Sequence, residues 1–285
     1  MGAGLELGQV LWIGGPSGAG KSTVARQLAR RWGLRLYACD TRTWEHRDRA
    51  IAAGVDAALR WDALTPAERA TLSAAEHRAL EAIPERQTMI VDDLIALPRS
   101  PMVLAEGTLL PAHVADPARA VWLVPTRDFQ ARHRDDPERT AEPTELVIAA
   151  ANARGIPIVV VDGSRPAAEI TVEVEFHLAS ALSVGPTATT SAERCSLLRC
   201  ANLDVVRQIR MGCARSGGTI DAESQVRRFT CECGDDACLA DIDATVGAAG
   251  AAPVAAPGHP LSRSGGRRGT RTLARPDEIP RRPAG

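Results

Sequence analysis

The chain has 285 residues, a formal net charge of -1 and 45% hydrophobic residues. Its length allows one or two domains, its apolar content is sufficient for a core, and its balanced charge gives no overall reason to expect nucleic-acid binding. No run reaches the roughly 18 apolar residues of a membrane span and the N-terminus lacks a secretory signal, so we expect a cytoplasmic protein without a membrane partner. Its seven cysteines are then not expected to form a disulfide framework.

The first predicted elements are a buried strand over 9–13 and a helix, joined by a glycine-rich turn over 14–23. The turn matches the phosphate-binding pattern G-x-x-x-x-G-K-[ST] without a gap, at Gly15, Gly20, Lys21 and Ser22. Glycines let backbone N–H groups converge on phosphate oxygens, and the start of the helix adds a positive dipole end. Lys21 is the only lysine in a chain with 34 lysines and arginines, so the one compact ammonium stands at this turn. The residues predicted to bind nucleotide phosphate are Gly15, Pro16, Ser17, Gly18, Ala19, Gly20, Lys21, Ser22 and Thr23.

Four more apolar runs follow along the chain, over 34–38, 102–105, 120–124 and 156–161. They are continuous rather than alternating, which is typical of strands covered on both faces. With helical segments between them, they predict a layered α/β domain.

The segments between these runs are expected to be largely helical. The polar stretch 44–86 is predicted to be mostly helix, with Thr65 as an N-cap. Asp92 and Asp93 are interpreted as an N-cap pair for a helix that follows them. The stretch 168–182 fits either a strand or a helix, and we favour a helix that covers the sheet.

Charged side chains follow the predicted strands at the edge where parallel sheets bind ligands. Asp40 follows the second strand and could accept a hydroxyl proton or anchor a substrate, the alternative being a helix N-cap. Glu106 ends the third apolar run and could hold Mg²⁺ or contact a substrate, the alternative being a carboxylate in a turn. After the fourth run, the segment 125–134 carries Arg127, Arg132 and Arg134. It is interpreted as a lid that stabilises a transferred phosphoryl group, with a solvated basic helix face as the alternative.

The order of these features resembles that of the P-loop kinases of small molecules, such as nucleoside monophosphate, shikimate, gluconate and chloramphenicol kinases. The resemblance covers residues 8 to about 182. It implies a P-loop NTPase three-layer sandwich with a five-stranded parallel sheet, ATP with Mg²⁺, and transfer of the γ-phosphoryl group to a hydroxyl of a small acceptor. By position, it implies an ATP loop over 15–23, Asp40 as a base or acceptor-binding acid, and Arg127, Arg132 and Arg134 as lid residues. It also implies an adenine-facing loop at Asp162, Gly163 and Ser164. From the motif itself, Lys21 is expected to reach the β- and γ-phosphates and Ser22 to take one Mg²⁺ position, with Glu106 as a further Mg²⁺ contact.

The last third of the chain has a different composition. We expect a linker over 183–192, a cysteine-rich segment over 193–246 and a disordered basic tail over 247–285. The segment resembles the C-E-C-x4-C module of actinobacterial proteins of uncharacterised function. Cys231, Cys233 and Cys238, with one further ligand, could hold Zn²⁺ in a tetrahedral site; buried or redox-active thiols are the alternative.

Two other functions stay open at this point. One is an ATP-binding regulatory module that acts through the cysteine-rich segment without a small-molecule acceptor. The other is nucleic-acid binding by the C-terminal part, which the scarcity of aromatic residues among its arginines makes the weaker hypothesis.

Overall fold

A computed structural model describes residues 7–81, 85–133, 144–215 and 219–261. One sheet has five strands in the order β2-β3-β1-β4-β5, and every neighbouring pair is parallel. Its strands are β1 (Val10–Gly14), β2 (Arg35–Ala38), β3 (Val103–Glu106), β4 (Ala120–Pro125) and β5 (Ile158–Val161). The predicted α/β class and five-stranded parallel sheet are therefore confirmed.

Helices connect and cover these strands. In chain order they are α1 (Lys21–Trp32), α2 (Thr43–Ala52), α3 (Asp56–Ala63), α4 (Pro66–Thr71), α5 (Ala74–Glu81), α6 (Glu85–Ala96), α7 (Arg127–His133), α8 (Thr144–Ala153), α9 (Ala167–Val184), α10 (Ser191–Ala214) and α11 (Val246–Ala251). Thr65 caps α4 through a reciprocal capping box with Glu68, as its position predicts. The stretch 168–182 lies in α9, so the helical interpretation is confirmed.

The two faces of the sheet carry separate apolar cores. Leu11 and Ile13 of β1 point to a core closed by α1 and α9. Val10 and Trp12 alternate with them and point to a second core, closed by α6 and α8. Helices thus cover both faces of the sheet, which explains why its strands are apolar without alternation.

Asp92 and Asp93 do not cap a helix, contrary to the sequence interpretation. Both lie inside α6. Asp92 is exposed, whereas Asp93 accepts hydrogen bonds from Tyr37 of β2 and from His46 and Arg49 of α2. Asp93 therefore fastens α2 and α6 to the second strand.

The C-terminal part is more regular than its composition indicates. The 24-residue helix α10 packs along β2 and α2. An antiparallel hairpin follows, formed by β6 (Val226–Thr230) and β7 (Asp241–Thr245). Asn202 of α10 donates to the Thr230 carbonyl at 2.8 Å and accepts from the Thr230 N–H at 3.1 Å, which fixes the hairpin on the helix.

Two expected boundaries change as a result. The predicted linker 183–192 shrinks to 185–190, because α9 continues to Val184 and α10 begins at Ser191. Disorder from residue 247 is wrong for 247–261, since α11 buries Val246 and Ala249 against the hairpin and α10. The remainder of the predicted tail, 262–285, lies outside the described residues.

Candidate functional site

The glycine-rich turn joins β1 directly to α1, as the motif requires. Gly15 has φ 125° and Gly20 has φ 77°, and both values lie in a backbone region that residues with a Cβ rarely adopt. Gly20 is the N-cap of α1, and no side chain caps the helix there. The first amides of α1 and its dipole therefore face the turn, which is the arrangement that binds phosphate.

Lys21 is the first residue of α1, directly after Gly20. Its side chain is buried, with 7% exposed, and Nζ donates to the carbonyl oxygen of Pro16 at 2.8 Å. Lys21 also lines a cavity of about 260 Å³, together with Ser17, Gly18, Gly20, Ser22, Thr23 and Asp40. We call this the phosphate-loop cavity.

Glu106 ends β3, and the pairing of Ile13 with Glu106 places it beside the end of β1. It is 3% exposed, and its Oε2 has no hydrogen-bond partner among the described residues. Ser22 is close enough to favour the ionised form of its carboxyl group. Burial, with the negative charge of Asp40, raises the pKa of Glu106 to about 7 although Lys21 opposes the shift. A hydroxyl and a carboxylate with an unused oxygen are the ligand types that Mg²⁺ prefers, so this pair fits the predicted cation.

Asp40 stands in a 3-10 turn, Cys39–Arg42, that begins at the end of β2. Its side chain is 72% exposed and lies 3.8 Å from the guanidinium of Arg86. Arg86 also donates to the Cys39 carbonyl at 2.8 Å and to the Thr43 hydroxyl at 3.0 Å. Arg86 therefore positions the turn that carries Asp40, a role that no motif in the sequence signals.

The arginine-rich segment after β4 is described only in part. Arg127 pairs with Glu145 at 2.7 Å, and its side chain is 90% exposed. Arg132 donates to the Asp162 carbonyl at 3.3 Å, which brings this segment onto the predicted adenine-facing loop. Neither arginine is among the residues that line the phosphate-loop cavity in the described part of the chain. Arg134 lies outside the described residues.

The loop after β5 has a tight local structure. Asp162 accepts from the backbone N–H of Ser164 at 2.8 Å and from its hydroxyl at 2.6 Å. These bonds lower the pKa of Asp162. The loop is exposed, so its surface is open to a ligand.

A second cavity, of about 130 Å³, lies next to the first. Leu34 and Leu36 line it on the side of the sheet, and Leu198, Ala201 and Val205 of α10 line it on the opposite side. We call it the apolar cavity. Sequence reasoning missed it, because its two walls are more than 150 residues apart in the chain.

The C-terminal cysteines separate into two groups. Cys195, Cys200 and Cys213 lie on α10, whereas Cys231, Cys233 and Cys238 converge with His259. The four candidate ligand atoms all lie within 4.8 Å of one another, and Nδ1 of His259 is 3.5 Å from the sulfurs of both Cys231 and Cys238. We call these four residues the cysteine cluster; it is a group that could bind a metal ion.

His259 is the ligand that the sequence interpretation left unnamed. It falls in the stretch predicted to be disordered, and the signal for it was a lone histidine between Gly258 and Pro260, 21 residues after Cys238. Ala256 donates its N–H to the Cys231 sulfur at 3.4 Å, so the segment that carries His259 is fastened to the cluster.

Arg30 connects the cysteine cluster to α1, the helix that follows the glycine-rich turn. Its side chain is buried in α1, and its guanidinium donates to the carbonyl oxygens of Cys238 and Ala240. Asp241 lies 3.8 Å away. The loop of the cluster thus rests on the helix that begins at Lys21.

No helix in the described residues is long and apolar enough to cross a membrane. Comparison with protein-family models and with curated proteins finds no match for this chain.

Proposed function

We propose that the chain is an ATP-dependent phosphotransferase that moves the γ-phosphoryl group of ATP to a hydroxyl of a small molecule. The observation that carries this proposal is the phosphate-loop cavity, in which a glycine turn, an uncapped helix start, Lys21 and Asp40 face one space. The resemblance to P-loop kinases of small molecules adds the choice of donor and of reaction.

Each residue of the site has a role in this reaction. The backbone amides of the turn bind the phosphates, and Lys21 neutralises charge on the phosphoryl group that is transferred. Ser22 and Glu106 would hold Mg²⁺, which draws charge from the phosphate oxygens when it is bound. Asp40 orients the acceptor hydroxyl and accepts its proton. Arg127, Arg132 and Arg134 stay a prediction as lid residues.

Calorimetry with ATP and MgCl₂ tests the nucleotide site. Replacing Lys21 by Ala removes one charged hydrogen-bonding partner, so we expect a loss of affinity of about ten- to a hundredfold. Arg60→Ala is the matched control, because it also removes a cation but from a side chain that is 67% exposed. If the wild-type protein binds neither ATP nor GTP, the proposal is wrong.

Asp40→Asn tests catalysis separately. We expect it to keep ATP affinity and to lower acceptor-dependent ADP release by at least about a hundredfold, which is typical for loss of a general base. Equal loss of ATP affinity and turnover would instead assign Asp40 to nucleotide binding.

We further propose that the cysteine cluster binds Zn²⁺. Ligands at 2.0–2.3 Å from a tetrahedral ion are roughly 3.3–3.8 Å apart, and the two distances of 3.5 Å between His259 and the sulfurs agree with that spacing. Three sulfurs and one imidazole form a complete four-ligand set, which is typical of a structural zinc site. Metal analysis of the purified protein should give about one zinc per chain.

The contacts of Arg30 favour a second candidate function. Since the buried guanidinium joins α1 to the loop of the cysteine cluster, nucleotide binding could be read out by the C-terminal part without any acceptor. ATP binding with no acceptor-dependent turnover for any alcohol would support this regulatory function over the kinase.

A further inference from the structure

The apolar cavity and the phosphate-loop cavity share part of their lining. Ser22 and Asp40 line both spaces, so a molecule in the apolar cavity reaches the residues that face the transferable phosphate. Glu106 lines the apolar cavity as well, and its buried Oε2 has no partner among the described residues. With that oxygen assigned to Mg²⁺ in the proposed function, an acceptor hydroxyl at this junction would face Asp40, which lines both spaces.

The charges around the cavity do not favour an anionic ligand. Both arginines that line it, Arg26 and Arg228, are near carboxylates, at 4.0 Å from Asp241 and at 3.4 Å from Asp243. Asp40 and Glu106 also line the cavity and would repel a carboxylate or a phosphate. The third lining acid, Asp204, is paired with Arg42 at 2.8 Å and with Arg207 at 3.2 Å. The remaining lining consists mainly of aliphatic side chains, which favour an apolar ligand.

The size of the cavity limits the ligand further. Its volume is about 130 Å³, and an apolar cavity of roughly 150 Å³ is large enough to hold benzene. The space therefore matches one six-membered ring or an aliphatic group of the same size.

We propose that the apolar cavity is the acceptor subsite and takes a neutral alcohol whose apolar body is about one six-membered ring; this rests on the proposed kinase function. The C-terminal helix α10 is then a wall of the active site and not part of an accessory module. The acceptor oxygen forms a bond to the γ-phosphorus of ATP, while the bond from that phosphorus to the β–γ bridging oxygen breaks and leaves its electron pair on ADP. The hydroxyl proton passes to the carboxylate of Asp40.

Benzyl alcohol and cyclohexylmethanol are suitable probes, with gluconate and shikimate as anionic counterparts. Full-length protein with ATP and MgCl₂ is assayed for ADP release and for the phosphorylated alcohol by mass spectrometry. We expect turnover with the neutral alcohols and none above background with the two anions. Turnover with the anions alone, or with neither class while ATP binds normally, overturns the acceptor proposal and leaves nucleotide binding intact. Absence of ATP binding fails the proposed function itself.

Two variants of α10 test the location. Ala201→Leu fills the cavity and should lower kcat/KM for benzyl alcohol about tenfold or more while ATP affinity is unchanged. Ala192→Leu makes the same chemical change at an exposed position of the same helix and should have no effect. Equal kinetics for the two variants overturns the proposal.

A third variant gives a readout that misfolding cannot produce. Leu198 is a buried residue on the α10 wall, and Leu198→Ala enlarges the cavity. We expect its preference for 2-naphthylmethanol over benzyl alcohol to rise about tenfold relative to the wild type. An unchanged preference overturns the assignment of this cavity.

Discussion

The carboxylate of Asp93 lies between three donors, and its replacement tests how strongly this network fastens the helices beside the site. Tyr37 donates from its hydroxyl at 2.8 Å, His46 from Nε2 at 2.8 Å and Arg49 from Nη1 at 2.6 Å. Burial opposes ionisation, but these hydrogen bonds outweigh it and lower the pKa of Asp93 from 3.8 to about 2. The folded state therefore stabilises the ionised form of the Asp93 carboxyl group more than the unfolded chain does.

The size of this effect follows from the pKa difference. At roughly 1.36 kcal/mol per pKa unit, the ionised carboxylate stabilises the fold by about 2 kcal/mol. A lowered pKa in the folded state means that the stabilisation is complete above the unfolded pKa of 3.8 and is lost as the pH falls toward about 2. By this linkage, about half of it is already lost at about pH 3.

Urea unfolding of Asp93→Asn at about pH 6 and at about pH 3 measures the effect. We expect the deficit in the free energy of unfolding, relative to the wild type, to shrink by about 1 kcal/mol between the two conditions. Asp92→Asn is the matched control on the exposed face of the same helix, and its effect should stay within about 0.5 kcal/mol. An Asp93→Asn deficit that is the same at both pH values would refute the reasoning, because the charge of the carboxylate would not be its source.

Three further predictions concern the site and the cluster. Glu106→Gln removes a charged oxygen ligand, so it should raise the magnesium concentration needed for half-maximal turnover about tenfold or more in a titration of MgCl₂ at fixed ATP. An unchanged magnesium requirement would show that Glu106 is not part of the cation site. His259→Ala should reduce bound zinc well below one per chain in plasma emission analysis and should lower the melting temperature. Equal zinc content in the variant and the wild type would contradict the four-ligand cluster. Gly20→Ala should lower the free energy of unfolding by about 1–2 kcal/mol through its positive φ alone, because a Cβ there meets open space, whereas Gly15→Ala should lower it further, because its Cβ would also overlap the Leu123 carbonyl. Equal losses in a denaturant titration would show that this overlap is relieved.

Local patterns were sufficient to predict the first half of the site. The strand, the turn and the helix around Lys21 are consecutive in the chain, so glycine positions and apolar runs indicate them directly. Asp40 and Glu106 were predicted at strand ends, because parallel strands bring their carboxyl ends to one edge. The burial of the Glu106 side chain, by contrast, depends on the packing of β3 between β1 and β2.

Contacts between distant segments were not predictable in this way. The three donors to Asp93 are 44 to 56 residues away from it, and an Asp–Asp pair carries no local signal that separates a helix cap from a buried acceptor. The local pattern was therefore misinterpreted, because hydrogen-bond partners are chosen by packing and not by sequence spacing.

By itself, the sequence determined the class of fold, the glycine-rich turn with the only lysine of the chain, and three of the four residues in the cysteine cluster. The tertiary structure decided that His259 joins those cysteines, that Arg30 ties them to the loop helix, and that α10 closes a cavity beside Ser22. The physical reason is that apolar periodicity and turn chemistry act over a few neighbouring residues. The closing of a pocket between Leu36 and Val205, in contrast, depends on how two separately formed elements bury their faces against each other.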